Sequence, residues 1–280
     1  MAATMAFSAT WYLLEQEGLL AQACLCNGLT ALRRANLGDK KGLFYSAFFE
    51  LSIGFERTLK LVLILDYMAR NNLVPPDSKT VEDYGHKLLL LFEATKAVCA
   101  AHGVTALDEL QTNSLPIAIL GFLDNFAHPG GRYSNINKLT GHKHQSMADP
   151  LVQWGEIADR IIHEHATPRE RQCAELNGQI ASAALGDAAA SLISDMDRRQ
   201  MDVIPLFTRA SELDVAAKHA IYALVILIAA LRDAIDTLCS SAWAANPPNA
   251  SGVADVPDMK EFFQFAWPNR PYVMRKRRWP

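Results

Sequence analysis

The chain has 280 residues, half of them hydrophobic and a fifth charged, which allows a sizeable core and excludes a disordered or low-complexity class. Its formal net charge of -3 excludes a global attraction to nucleic acid. The exception is Arg275-Lys276-Arg277-Arg278, which gathers positive charge near the C-terminus either to touch phosphate or as a solvated end.

Cys24, Cys26, Cys99, Cys173 and Cys239 lie in helical patterns without CxxC spacing and are expected to be buried free thiols of a reducing cytoplasm. The first residues lack a basic region and meet Glu15 and Glu17 before any long apolar run, so no signal peptide is expected. The longest uncharged apolar run, Ala220 to Leu231, is about twelve residues against the ~18 or more of a membrane span. A cytoplasmic location without a membrane span is the expectation.

In chain order, Trp11, Leu14, Ala21, Leu25, Leu29 and Leu32 share one face of a helix over about 10–35, with Ser8 as cap and Gly18 and Gly28 as interruptions. A second helix, about 41–71, is apolar on most of its circumference and must be packed on several sides. At ~100° per residue, Ser46, Glu50 and Arg57 fall within about 40° and form one polar stripe across it. Val74-Pro75-Pro76 is expected to end this helix. A third is expected over about 81–102, capped by Ser78 or Thr80, and a fourth, internal one over about 114–126.

His128 to Lys138 reads as a loop rich in hydrogen-bonding groups. Asp149-Pro150 opens a fifth helix to about Ala166, and Thr167-Pro168 opens a sixth, running from Arg169 to about Met201. The small residues of its stretch ASAALGDAAASLI suit close helix approach. A seventh, about 212–243, is a core helix. A short helix over about 259–265 and an extended segment from Trp267 to Tyr272 are expected in the Pro- and Asn-rich end. No strand shows period-two alternation, so the chain reads all-α.

Phe55-Glu56-Arg57-Thr58-Leu59-Lys60, a proline-containing loop and Gly85-His86-Lys87-Leu88 together resemble the HEPN family of helical domains, which includes ribonucleases. The resemblance implies an antiparallel HEPN-like helical bundle over residues 1–166; outside it, extra C-terminal helices are expected to pack on it over 167–245, and the change in composition marks an irregular tail with a basic end over 246–280. HEPN ribonucleases carry Arg-x4-6-His on a late helix, matched here by Arg160 and His165. By that resemblance the His moves a proton as a ribose 2'-hydroxyl attacks the adjacent phosphate and the Arg stabilises the charge, without metal. It also implies a homodimer acting on RNA or a nucleotide, of a toxin or defence type. Asp159 beside Arg160 leaves a plain surface ion pair as the other reading.

His86 is placed to reach Glu50, Glu56 or Arg57, as a buried contact fixing helix pairing or as a catalytic group. Arg132, Tyr133 and Asn135 suit a phosphate or base, or else staple their loop to the bundle. No metal or cofactor is expected. His163 and His165 diverge on their helix, and Lys143 separates His142 from His144. No GxxxxGK[ST], GxSxG, HExxH or strand-linked GxGxxG occurs. Two functions remain: an RNA-binding or metal-independent RNA-cleaving effector, or a non-catalytic interaction module whose polar stripe only fixes packing. The first gains if Arg160 and His165 face a concave surface shared with Arg132, and falls if they point to open solvent on opposite sides.

Overall fold

A computed structural model of the chain describes residues 6–108, 110, 114–141, 149–185, 192–245 and 252–280. Ser8 accepts a hydrogen bond from the Trp11 amide and starts α1, Ala9–Arg34. Antiparallel to it runs α2, Gly42–Arg70, whose Phe44, Phe48, Leu51, Phe55, Leu59, Val62 and Leu65 are buried. The glycines expected to interrupt α1 leave it unbroken and serve its packing instead. A Cβ on Gly28 would stand 2.6 Å from Leu51 Cγ, and one on Gly54 of α2 would stand 2.8 Å from Leu25 Cγ. Each helix thus offers a glycine to a leucine of the other.

The end of α2 is made before the prolines. Asn72 and Leu73 take left-handed backbone angles (φ 51° and 61°), and the Leu73 amide donates to the Met68 carbonyl at 2.9 Å. The third helix expected from the sequence is two. Asp77 caps α3, Ser78–Asp83, by accepting from the Thr80 amide at 2.8 Å, and α4 spans Leu88–Ala101. Gly85, at φ +70°, breaks the chain between them in a conformation that strains any other residue. Lys87 supplies no side-chain cap for α4; Asp124 of α5, Leu115–Ala127, accepts from the Leu88 amide at 2.7 Å instead.

Two short helices, α6 (Pro129–Arg132) and α7 (Ser134–Leu139), stand where a loop was expected. Next come α8, Pro150–Glu164, capped by Asp149, and α9, Pro168–Leu185. In α9 the Glu170 amide donates to Thr167 Oγ1 while Glu170 Oε2 accepts from the Thr167 amide at 2.8 Å, a reciprocal capping box. The sixth helix ends at Leu185 rather than near Met201, and residues 194–200 turn back on themselves through a Ser194–Gln200 bridge. Much of the small-residue stretch 181–193 lies outside the described residues.

The last long helix, α10, is Val203–Ala245, beginning nine residues before its expected start. It packs on α9, α2, α8, α5 and α1, and its Ile221, Leu224, Val225, Leu227, Ile228 and Leu231 are fully enclosed. By length and composition it could cross a membrane, with a mean hydropathy of 1.8 over its best window; 78% of that window is buried in the fold. Phe48 of α2 meets Phe122 of α5 at 4.7 Å and Trp154 of α8 at 5.5 Å between ring centroids, joining three helices at one point. The fold is all-α; β1 (Ala6–Phe7) and β2 (Val253–Ala254) form one short parallel pair.

Beyond β2 the chain is tied down. Met259–Phe263 is a 3-10 turn, and α11, Arg270–Arg275, replaces the extended segment expected there. Trp279 is buried, and its amide donates to Thr30 Oγ1 of α1 at 3.0 Å. The basic run is therefore held against the body, with Arg275, Arg277 and Arg278 exposed on it and Lys276 over the Tyr272 ring. All five cysteines are free, but Cys173 is exposed rather than buried. Gly54→Ala is expected to cost about 1–3 kcal/mol through overpacking against Leu25, read as a lower urea midpoint with unchanged slope.

Candidate functional site

The polar stripe on α2 lies at the solvent edge of the α1–α2 seam instead of crossing a buried helix. Ser46 is exposed and bonds back to the Gly42 carbonyl, and Arg57 forms an ion pair with Glu17 of α1. Glu50 faces Cys24, whose thiol burial and that carboxylate push up to about 11. These contacts join the two helices, and no cavity forms over them among the described pockets.

Arg132, Tyr133 and Asn135 separate. Asn135 donates to the Tyr45 hydroxyl at 3.0 Å and accepts from Arg198 at 3.3 Å, while Arg198 pairs with Asp149 at 2.7 Å. That network staples α7 to α2 and to the turn before α10. Tyr133 projects to solvent. Of the three, only Arg132 lines a described cavity, whose wall also includes His86. The latter is 82% exposed at the break after α3, and its Nδ1 lies 2.8 Å from Glu56 Oε1, so the contact is at a rim and not buried. Burial raises the Glu56 pKa, but hydrogen bonds from His86 and Lys60 outweigh it and hold the carboxyl below its ordinary range.

Arg160 and His165 do face one concave surface. It is a cavity of about 420 Å³ bounded by the last turn of α8, by His219, Tyr222 and Ile226 of α10, and by Arg270 at the start of α11. Arg132 lines a different cavity. Asp159 is engaged by Arg209, and Arg160 pairs along its own helix with Glu164 at 2.9 Å. His165 is the C-cap of α8. Its ring lies 6.5 Å from that of His219, centroid to centroid, with the planes 30° apart. Arg270 is held over the Tyr222 ring at 5.7 Å.

His219 is buried, 4% exposed, and its Nε2 lies 3.4 Å from Glu170 Oε2. Burial lowers its pKa below the ordinary 6.5 despite that carboxylate, so the ring is neutral at pH 7. With Nε2–H donating to Glu170, Nδ1 carries the lone pair. Glu170 is itself fixed: burial raises its pKa, but the Thr167 amide and hydroxyl and the His219 ring outweigh it and keep the carboxyl ionised. The capping box of α9 thus doubles as the orienting group of a buried imidazole.

The site contains two imidazoles, one buried and one exposed, and two guanidinium groups, enough for acid–base chemistry on an anionic substrate. Sequence reading missed His219, Glu170 and Arg270. The available signal was His219 itself, an ionisable residue amid Ala216, Ala217, Ala220 and Ile221 of a core helix. Nothing in the sequence said that this turn of α10 passes the end of α8. His163 lines another hollow, with Asp159 and Arg171. His142 and His144 lie outside the described residues, and among those described no cluster of three or more His, Cys, Asp or Glu could hold a metal ion.

A histidine whose folded pKa is lowered takes its proton first in the unfolded chain. Its contribution to stability is complete above the ordinary value of 6.5 and is lost progressively as pH falls toward the folded value. Thermal melts between about pH 7 and pH 5 should accordingly show a steeper acid loss in the natural protein than in His219→Gln, with the two curves converging in slope if His219 were unperturbed. Compared with protein-family models, with curated proteins and with solved structures, the chain matches none.

Proposed function

We propose that the chain is a HEPN-like effector that binds RNA and cleaves it without metal at the cavity between α8 and α10. The observation that carries this reading is the pairing of Arg160 and His165 with a second, buried imidazole, His219, and a second guanidinium, Arg270, in one cavity. Neutral His219 takes the proton of a ribose 2'-hydroxyl, and the 2'-oxygen attacks the adjacent phosphorus. His165 in its imidazolium form gives a proton to the departing 5'-oxygen. The products are a 2',3'-cyclic phosphate and a 5'-hydroxyl end. Arg160 and Arg270 neutralise the charge that builds on the non-bridging oxygens.

The reaction needs a proton acceptor and a proton donor; His219, whose pKa burial lowers, serves as the first and His165 as the second. Glu170 keeps the base in one tautomer, as a positioning residue. A homodimer, which the resemblance implies, would present two such cavities on one assembly.

Metal-free protein is expected to cut a labelled single-stranded RNA pool to cyclic-phosphate ends, unaffected by EDTA. His165→Ala and Arg160→Ala are each expected to slow cleavage by about 10²–10⁴-fold with the fold retained. The acid limb of kcat/KM should fall at a pH below 6.5, following His219. Cleavage that survives both substitutions, or that requires added magnesium, removes this reading; binding of RNA without cleavage leaves only the non-catalytic one.

A further inference from the structure

The cavity of about 660 Å³ between α2, the α3–α4 break, α5 and α6 takes no part in the proposed reaction. Besides Tyr84, its lining bears three carboxylates, Glu56, Asp83 and Asp124, and four basic side chains, His86, Lys87, His128 and Arg132. Two of the three carboxylates are already engaged. Glu56 holds Lys60 at 3.0 Å and His86 at 2.8 Å, and Asp124 caps α4 through the Leu88 amide. Asp83 is the one lining carboxylate outside those pairs among the described residues.

The cations are different. Arg132 lies with its guanidinium carbon 5.8 Å from the Phe49 ring centroid, a contact that supports the charge but accepts none of its hydrogen bonds. Its Nε is shut off from solvent and meets no acceptor among the described residues. No ion pair or hydrogen bond to a described residue compensates the Arg132 guanidinium, so its charge is left for a group in the cavity. Lys87 and His128 enter the same cavity from the α3–α4 break and from the end of α5. Tyr84, Leu90 and Ala127 supply apolar wall beside them.

We propose that this cavity binds a small phosphate monoester, its phosphate held by Arg132, Lys87 and His128 and its organic part against Tyr84 and Leu90. Donors arriving from three separate elements suit a tetrahedral dianion, whose oxygens point in different directions; a planar carboxylate is satisfied by the Arg132 fork alone. The volume lies within the range of small-molecule sites, about 300–1,000 Å³. Gly85 gives the site its shape, since the left-handed turn there ends α3 and sets His86 and Lys87 at the mouth.

The test uses the full chain and three probes with one ring: phenyl phosphate, benzoate and phenol. Titration is followed by calorimetry and by the Nε–H resonance of Arg132. Phenyl phosphate is expected to bind saturably and to shift that resonance, with affinity reduced about tenfold or more in Arg132→Gln and severalfold in Lys87→Ala. Lys87 is exposed, so its replacement reads binding without straining the fold. Phenol binding as tightly as phenyl phosphate reduces the cavity to an apolar hollow and overturns the proposal. Benzoate matching phenyl phosphate overturns the assignment to phosphate. Absence of phenyl phosphate binding, or binding unchanged in a folded Arg132→Gln protein, overturns it as well.

Discussion

The structure depends on how closely α1 and α2 approach. Leu25 occupies the space a Cβ would take on Gly54, and Leu51 that of Gly28. With the helices this near, α2 can be covered by α1 on one side and still present Phe44, Phe48 and Phe55 to the others. Burying an aromatic or leucine side chain is worth about 1.5–3 kcal/mol, and α2 has many, so the helix is an organising surface for α4, α5 and α10. Polar residues on α2 are consequently pushed to its rims, where Arg57 meets Glu17 and Glu56 meets His86.

The second long axis, α10, brings ionisable groups of separate helices together. A helix of 43 residues passes both the start of α9 and the end of α8, so a single turn of it can touch each. His219 stands on that turn, between the Glu170 carboxylate and the His165 ring. The burial that lowers its pKa comes from the apolar neighbours that hold α10 in place. Stability and acid–base poise therefore have one source, as is common where a site is set into a core.

The two cavities differ in how their charges are used. At the α8–α10 cavity the carboxylates Glu164 and Glu170 hold an arginine and a histidine in ordered positions. At the α5–α6 cavity two of the three carboxylates are spent, Asp124 on capping α4 and Glu56 on Lys60 and His86, and Arg132 keeps an unfilled donor. Asn135, on the next helix after Arg132, is spent on joining α7 to Tyr45 and Arg198. Proximity in sequence to Arg132 did not make it part of the same site.

By itself the sequence determined the helical class and the approximate course of α1, α2, α5 and α8, because those segments carry apolar residues at helical spacing and polar caps next to them. It also put Arg160 and His165 near the end of one helix. It did not determine the breaks at Gly85 and after Leu185, where a single left-handed residue or a reversed turn overrides a pattern that still reads as helical. Only the tertiary structure decided which ionisable groups meet. His219 lies 54 positions from His165, and His86 lies 46 from Arg132. Helical periodicity orders residues along one helix face; it carries no information about which turns of two helices are packed together, and that packing brings these groups into common cavities.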